Sequence, residues 1–325
     1  MGLFGNGRVV GLEFDEGAIR GVEITKKGTA LTVSAYSQVA VAKEAIREGL
    51  LFDQGAIVEA LEELWVKGKF RSKEIVIGVS NQGVIIRFAL FPKVTPNRLD
   101  NLVRLQAQEH LPVPMDTVFL DYDVIGTKSD GEREMLEVLL VAGRKEMLES
   151  FLQVLTAARL KPKEIEVLPL TLLRFLKKGD AEKVVAVIDI AQGLSNMVIA
   201  DSMKPRMARM MPTGMDAAER LVAATREEGI GVMEDSFDNE LLANNIQATI
   251  GFYQSHKEAR PVEKILLSGI GSQVAGLAES LESRLHLPVK QINPVEYLEL
   301  KLNSGPGMDF IKYGLAACLA CRGWE

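Results

Sequence analysis

The sequence predicts an α/β protein of two lobes, with a small α+β subdomain inserted in the first. Three observations predict it. A chain of 325 residues is long for one hydrophobic core and divides naturally into two. One pattern occurs twice, from Val9 to Ile24 and again from Val184 to Ala200: a β-branched strand with an acidic residue near its end (Glu13, Asp189), a tight turn of small or polar residues, and a returning strand. The opening order is strand, strand, strand, helix, strand, unlike dinucleotide-binding folds, which alternate strand and helix from the start. A carboxylate on a strand beside a turn of free backbone N–H groups suits a phosphate and its metal ion. Two such hairpins facing each other, one per lobe, predict a clamp.

The first lobe is expected over 1–180. Its hairpin at 8–25 leads into a third strand, Ala30–Val39, and a helix at about 53–66 with Ile57, Leu61 and Leu64 on one side at helical spacing. Glu74–Val79 carries the continuous apolar run of a strand buried on both faces. The insertion is placed at about 84–163. It begins with the strand Val84–Phe91, ended by Pro92, and a helix at about 96–110 that Pro112 and Pro114 stop. The strands Val118–Ile125 and Met135–Ala142 flank a polar turn at Asp130-Gly131, and the helix 144–158 presents Met147, Phe151 and Leu155 at i, i+4, i+8.

The second lobe, 181–325, opens on the repeated hairpin. A turn at Pro212-Thr213-Gly214 starts a helix that runs to about 226, and a loop with Gly229 and Gly231 precedes a long helix at about 237–257. Lys264–Ser272 reads as a strand followed by the glycine turn Gly269-Ile270-Gly271-Ser272, with a helix after Gly276. Glycines there let the backbone approach a ligand closely, and the helix start favours an anion. A plain strand-to-helix turn carries the same signature. The C-terminal helix, about 308–322, is expected to pack back on the first lobe.

Composition excludes several classes. Hydrophobic content of 47% and charged content of 25% are those of an ordinary soluble globular chain. A net charge of −6 argues against nucleic-acid binding, which needs a basic surface. The basic stretch Lys67–Lys73 reads as a solvated loop. No apolar run reaches the roughly 18–20 residues that span a bilayer. The N-terminus lacks a secretory apolar region, and Asn6 stands where a myristoylation motif has Ser or Thr. The expectation is a cytoplasmic protein, with attachment to a membrane through a partner left open. Cys318 and Cys321 lie late in an Ala/Leu-rich helix and are expected to pack as small apolar residues, since no second pair completes a metal shell. His110, His256 and His286 are scattered singly, against a histidine metal site or a Ser-His-Asp triad.

In this order and spacing the two hairpins and the glycine turn resemble the actin/hexokinase/Hsp70 superfamily, whose members have a two-lobe actin-like (ribonuclease H-like) ATPase fold. Within it the chain is similar to the PilM family of type IV pilus assembly proteins, related to FtsA. The closest likeness is Glu109–Val124, with its Leu111-Pro112-Val113-Pro114 step and Asp121-Tyr122 strand. Ala142–Glu146, Leu168–Arg174, Ala248–Tyr253 and Gly314–Ala317 also look like family segments, so the likeness spans nearly the whole chain.

The resemblance implies a nucleotide site. Its first phosphate loop would use Glu13, Glu16, Gly17 and Ala18, and its second Asp189, Gln192, Gly193, Leu194, Ser195 and Asn196. Gly214 and the adenosine loop Gly269, Ile270, Gly271 and Ser272 would complete it. It implies ATP and Mg as cofactors, with Glu13 and Asp189 holding Mg through water. It implies as partner the N-terminal cytoplasmic tail of a PilN-like membrane protein, lying in a groove near 84–91 and 111–125, with ATP setting the lobe angle and so the tail's affinity. Other pilus platform or motor proteins are implied as further partners, with attachment to the inner membrane through a partner, and homo-oligomer formation stays open. The same kinship offers an ATPase or sugar-kinase-like phosphotransferase and an FtsA-like polymer as alternatives. No catalytic residue is identified, because neither a positioned His nor a clear Gln stands out. FtsA's amphipathic anchor has no counterpart in the ending Gly323-Trp324-Glu325.

The departures are informative. The family's first loop usually reads Gly-Ile-Asp-Ile-Gly-Ser, then small residues and a Lys. Here it reads Gly11-Leu12-Glu13-Phe14-Asp15-Glu16, then Gly17, Ala18, Ile19 and Arg20. Asp15 and Glu16 place two extra negative charges where a polyphosphate would sit. At about 4 Å and an effective dielectric near 20, each like-charge contact costs roughly 4 kcal/mol. ATP binding is expected to weaken unless they turn outward or a metal bridges them. Ala191 replaces a usual Gly, and Ile270 stands where Gly is common. Two readings stay open: a site for ATP, or a nucleotide fold without its nucleotide. Glu13 and Asp189 either hold metal-bound water or cap their turns. Gln192, Ser195 and Asn196 either touch phosphate or satisfy their own hairpin.

Overall fold

The computed structural model describes residues 7–130, 133–227, 240–302 and 308–324. Gly131, Gly229, Gly231 and residues 237–239 of the expected long helix lie outside them. The chain opens with β1 (Arg8–Asp15), β2 (Ala18–Lys27) and β3 (Ala30–Ala40). β1 and β2 are joined by the two-residue turn Glu16-Gly17, where Gly17 takes the positive φ of 79° that a glycine accepts without strain. That turn fixes the register, placing Glu13 opposite Arg20 and Asp15 opposite Ala18. The small hairpin β4 (Ile46–Arg47) and β5 (Leu50–Leu51) precedes α1 (Gln54–Gly68), which Asp53 caps by accepting the Ala56 N–H. Next come β6 (Glu74–Val79), β7 (Val84–Pro92), α2 (Pro96–His110), β8 (Val118–Asp130), β9 (Arg133–Arg144), α3 (Lys145–Ala157), β10 (Lys161–Val167) and α4 (Leu168–Thr171).

The remainder holds β11 (Val184–Ile190), β12 (Ser195–Asp201), β13 (Lys204–Met211), α5 (Met215–Glu227), α6 (Leu241–Gln254), β14 (Lys264–Ser268), α7 (Leu277–Leu285), β15 (Val289–Gln291), α8 (Pro294–Tyr297), β16 (Lys301–Leu302) and α9 (Gly314–Arg322). The first-lobe sheet runs β10-β6-β1-β2-β3-β16 and the second β13-β12-β11-β14-β15. In each, three antiparallel strands are extended by two parallel ones, so β3-β2-β1-β6-β10 and β13-β12-β11-β14-β15 share one topology. The pattern written twice in the sequence is one fold unit built twice.

The insertion is a three-stranded antiparallel sheet, β7-β9-β8, with α2 on one face. Period-two alternation sorts its side chains. Phe91, Val138 and Leu140 meet Val103 of α2, while Phe119, Asp121, Leu139 and Val141 lie on the opposite face. The expected insertion of about 84–163 is too long. α3 buries Met147, Phe151, Val154 and Leu155 in the first-lobe core with Leu12, Phe14, Leu61 and Ile77, and the Phe14 and Phe151 rings meet edge to face at 5.4 Å. β10 pairs with β6 in the main sheet, so the insertion ends with β9.

Between the two sheets lies an apolar layer made by 168–176 and α9. Leu168, Leu172, Phe175, Leu315 and Leu319 pack there against Val9 and Val76 of the first lobe and Val187, Val198 and Leu266 of the second. A Cβ at Gly11 would stand 2.0 Å from the Ala316 carbonyl oxygen, so only glycine admits β1 this close to α9. The other side of α9, with Ala316, Ala317 and Cys321, meets Val22, Ile24 and Val33. Cys318 is buried in this layer, and Cys321 is buried on the α9 side that meets β2 and β3. Among the described residues no helix is long and apolar enough to cross a membrane.

Candidate functional site

The ends of the repeated hairpins meet at the lobe boundary. Glu13 is 4% exposed and Asp189 0%, and the two are close enough for the Asp189 charge to push the Glu13 carboxyl up. Both hairpins thus bring their acidic residues to one point. Arg20 lies there as well, the cross-strand partner of Glu13. Its Nη1 donates to Glu13 Oε1 at 3.1 Å and to Asp15 Oδ2 at 2.9 Å, with only 4% of its side chain exposed. Burial opposes the Arg20 charge, but Glu13 and Asp15 hold its pKa above the ordinary arginine value. Burial dominates at Glu13 and, with Asp15 and Asp189 adding to it against Arg20, pushes its pKa up to about 8. Asp189 is pushed up to about 6, chiefly by burial. Neither Asp189 oxygen has a hydrogen-bond partner among the described residues.

Asp15 turns inward, across the lobe boundary. Both its oxygens accept the backbone N–H of Gln192, each at 3.1 Å, and Oδ1 also accepts the Glu16 N–H at 2.8 Å. Glu16 follows it: its carboxylate lies against Gly193, where a Cβ would stand 2.2 Å from Glu16 Cδ, and it accepts the Glu48 N–H at 3.0 Å. The expectation had these two charges weakening phosphate binding unless they turned outward or met a metal. The structure shows a third resolution: Arg20 and the Gln192 N–H engage Asp15, and the Glu48 N–H engages Glu16.

The other sequence-nominated residues are placed as follows. Gly17 and Ala18 form the first turn's exit, with Gly17 accepting the Val41 N–H through its carbonyl. Leu194 closes the second turn by accepting the Ala191 N–H. Ser195 donates its hydroxyl to the Thr213 carbonyl at 2.5 Å, and Asn196 Oδ1 accepts the Ser80 hydroxyl at 2.5 Å, tying the loop after β6 to the second hairpin. A Cβ at Gly214 would stand 2.1 Å from the Gln192 carbonyl. At the glycine turn, Cβ atoms at Gly269 and Gly271 would stand 2.4 Å from the Ile190 carbonyl and 2.3 Å from Ile190 Cγ2. The space those glycines open is filled by the second hairpin itself. Ile270 begins the short turn of helix there, and the Ser272 hydroxyl donates to the Gly269 carbonyl at 2.7 Å.

The fit of a nucleotide and its metal can therefore be judged on the donor set. The cavity bordered by Glu13, Asp15, Glu16, Ser80, Ala191 and Asn196 measures about 20 Å³. That is room for roughly one water, whereas ligand pockets run to roughly 300–1,000 Å³. Among the described residues no group of three ligating side chains is arranged to hold a metal. The Gln192 and Glu16 N–H groups are taken by Asp15, the Gly193 surface by Glu16 and one Glu13 oxygen by Arg20, while both Asp189 oxygens and Glu13 Oε2 have no partner among the described residues. Among the described residues, the space left beside Glu13 does not admit a triphosphate with its metal.

A second concavity has the opposite character. A cleft of about 720 Å³ lies between the face of the insertion sheet left bare by α2 and strand β10. Val84, Leu139, Val141 and Ile165 line it, with Asp121 and Asp123 at its β8 side and Pro205 of the second lobe closing one end. β8 and β10 are both edge strands of their sheets. The expected groove near 84–91 and 111–125 shares Val84 and 119–123 with this cleft; its other wall, from β10 and 170–174, lies outside the expected groove. Arg20, Asp15 and Ser80 were likewise absent from the nominated site. The two-residue turn would have revealed Arg20, because it sets the residue facing Glu13.

A family model described as type IV pilus assembly protein PilM matches residues 11–205. Among solved structures, a chain of a PilM-PilN type IV pilus biogenesis complex is 24% identical, covers 99% of this chain and 100% of its own, and superposes with a TM-score of 0.82. The ethanolamine utilization protein EutJ from Carboxydothermus hydrogenoformans is 14% identical with a TM-score of 0.54, over 98% of this chain and 91% of that one.

Proposed function

The chain belongs to the PilM family of type IV pilus assembly proteins and has the actin-like ATPase fold, and from that premise we propose that it holds the extended cytoplasmic tail of a PilN-like membrane protein in the 720 Å³ cleft between β8 and β10. The single observation that carries this reading is the pair of open sheet edges facing one apolar-floored cleft. An unpaired edge offers a row of backbone donors and acceptors, and an extended peptide satisfies them by adding as a strand while its alternate side chains enter pockets. Val84, Leu139, Val141 and Ile165 supply the apolar contacts. Asp121 and Asp123 give the rim a negative bias. A short cytoplasmic segment before a membrane span is typically rich in Lys and Arg, which is the complementary charge. In this reading the protein is a peripheral component on the cytoplasmic side of the pilus assembly platform, recruited through that tail.

The test is a fluorescence-anisotropy titration of a labelled PilN-tail peptide against the whole protein. Val141→Glu places a charge on the cleft floor and is expected to weaken binding at least about tenfold, or about 1.4 kcal/mol, with an unchanged melting temperature. Leu105→Ala, on the exposed side of α2, is expected to leave binding unchanged. A wild-type protein that does not bind the tail, or a Val141→Glu variant that binds it equally well, refutes the reading.

A further inference from the structure

We infer that the nucleotide cleft of this chain is filled by its own side chains: Asp15 takes the place of a phosphate at the second hairpin, Arg20 supplies beside Glu13 and Asp15 the positive charge a metal would bring, and the lobes are latched without ATP. The inference is independent of the tail-binding reading, because none of the latch residues lines the large cleft.

Three observations carry it. The first is the Asp15 carboxylate itself. It crosses the lobe boundary and receives the Gln192 N–H on both oxygens at 3.1 Å, the manner in which a loop N–H holds an anion. It is 5% exposed, so this is an interior contact rather than a surface one. The second is charge balance. Here a single guanidinium donates to Glu13 at 3.1 Å and Asp15 at 2.9 Å, both on the strand paired with its own, and so supplies within the first lobe's hairpin the positive charge that a metal would bring to this cluster. Arginine cannot lose its proton in a protein, so this cation is permanent where a bound metal is exchangeable. The third is space. Glu16 covers the Gly193 surface, Ile190 fills the Gly269 and Gly271 cradle, and the cavity left is about 20 Å³. The anion, the positive charge and the bulk of the ligand each have a counterpart in the chain, while the Asp189 oxygens keep no hydrogen-bond partner among the described residues. Three cross-boundary contacts result: Asp15 to Gln192, Glu16 against Gly193, and Ser80 to Asn196.

The inference predicts that nucleotide is neither bound nor needed for closure. Isothermal titration of the intact wild-type protein with Mg-ATP and Mg-ADP is expected to give no saturable heat up to about 5 mM, far beyond the K-values at which a cellular nucleotide site works. A saturable one-to-one isotherm in that range overturns it. The latch is read separately by hydrogen exchange. The Gln192 amide is expected to be protected in the wild type and to exchange at least about tenfold faster in Asp15→Ala, with Asp15→Asn as the shape-conserving variant should the alanine protein not fold. Equal exchange in wild type and variant overturns the assignment of Asp15 as the latch.

Discussion

Replacing Arg20 by methionine keeps an apolar stem of similar length and removes the charge. The side chain is 4% exposed and bridges Glu13 and Asp15 at 3.1 and 2.9 Å, so water does not take its place freely. Breaking a buried ion pair by deleting one partner typically costs about 3–5 kcal/mol, because the surviving charge is left uncompensated. Protonation is the escape route. Glu13 already holds its proton up to about pH 8 in the presence of Arg20, and Asp189 up to about 6. Without the guanidinium both rise further, since Arg20 lowers each of them. At pH 6 most of the cost is therefore avoided, and at pH 9 it is close to complete. An unfolding entropy of about 2.1 cal/mol/K per residue gives this chain roughly 0.7 kcal/mol/K, so each kcal/mol moves the melting temperature by about 1.5 °C. The expected loss is about 4–8 °C at pH 9 and about half of that or less at pH 6, read by differential scanning fluorimetry at the two pH values. A loss below about 1 °C at pH 9, or the same loss at both, shows that Arg20 does not neutralise a buried carboxylate cluster.

Glu13→Gln tests the same cluster from the acid side. A folded pKa of about 8 against an ordinary 4.5 means the native state binds the proton more tightly, so wild-type stability from this group is present below pH 4.5 and declines as pH rises to about 8; the Gln variant is expected to flatten that decline in urea midpoints taken across the range. Gly11→Ala would set a Cβ 2.0 Å from the Ala316 oxygen and 2.4 Å from the Ala320 nitrogen, both rigid helix backbone, and is expected to cost about 3 kcal/mol or more in chemical denaturation. Asp15→Ala, although remote from the large cleft, is expected to change PilN-tail affinity about fivefold or more through the lobe boundary; identical anisotropy curves would show that the cleft does not sense the latch.

The duplicated hairpins were legible because each local signal agreed with the final fold: β-branched runs, a turn too short to allow another register, and a carboxylate at the same place in both copies. The pairing of Glu13 with Arg20 was legible for the same reason, since a two-residue turn at Glu16-Gly17 dictates it. What the sequence did not show is what each buried face meets. The face of α3 predicts burial equally well against the insertion and against α1, and it lies in the first-lobe core. β10, with Lys161, Lys163, Glu164 and Glu166 in seven residues, drew no strand expectation; it is a strand because β6 offers it an unpaired edge. The direction of Asp15 was hidden more deeply. Whether its charge repels a ligand or captures a backbone N–H depends on how closely two hairpins 177 residues apart approach, which no local pattern encodes.

The latch and the cleft lie in one mechanical frame. Pro205, on the second lobe, walls the cleft, and its neighbour Arg206 pairs with Glu137 of the insertion at 2.9 Å with both side chains partly buried. Lys128 and Glu258 make a second link between insertion and second lobe at 2.8 Å, more exposed and therefore weaker. A rotation of the lobes about the apolar layer of α9 would separate Asp15 from Gln192 and shift Pro205 relative to β8 in the same movement. In a clamp closed by nucleotide, that movement is set by occupancy. With the proposed latch, the closing charge is Asp15, held by Arg20 of its own hairpin and present in every copy of the chain, so the cleft geometry would not wait on a ligand. The two added acidic residues, which look damaging when placed against a polyphosphate, are consistent with a fold that keeps the closed state and the groove that depends on it while dispensing with the ligand.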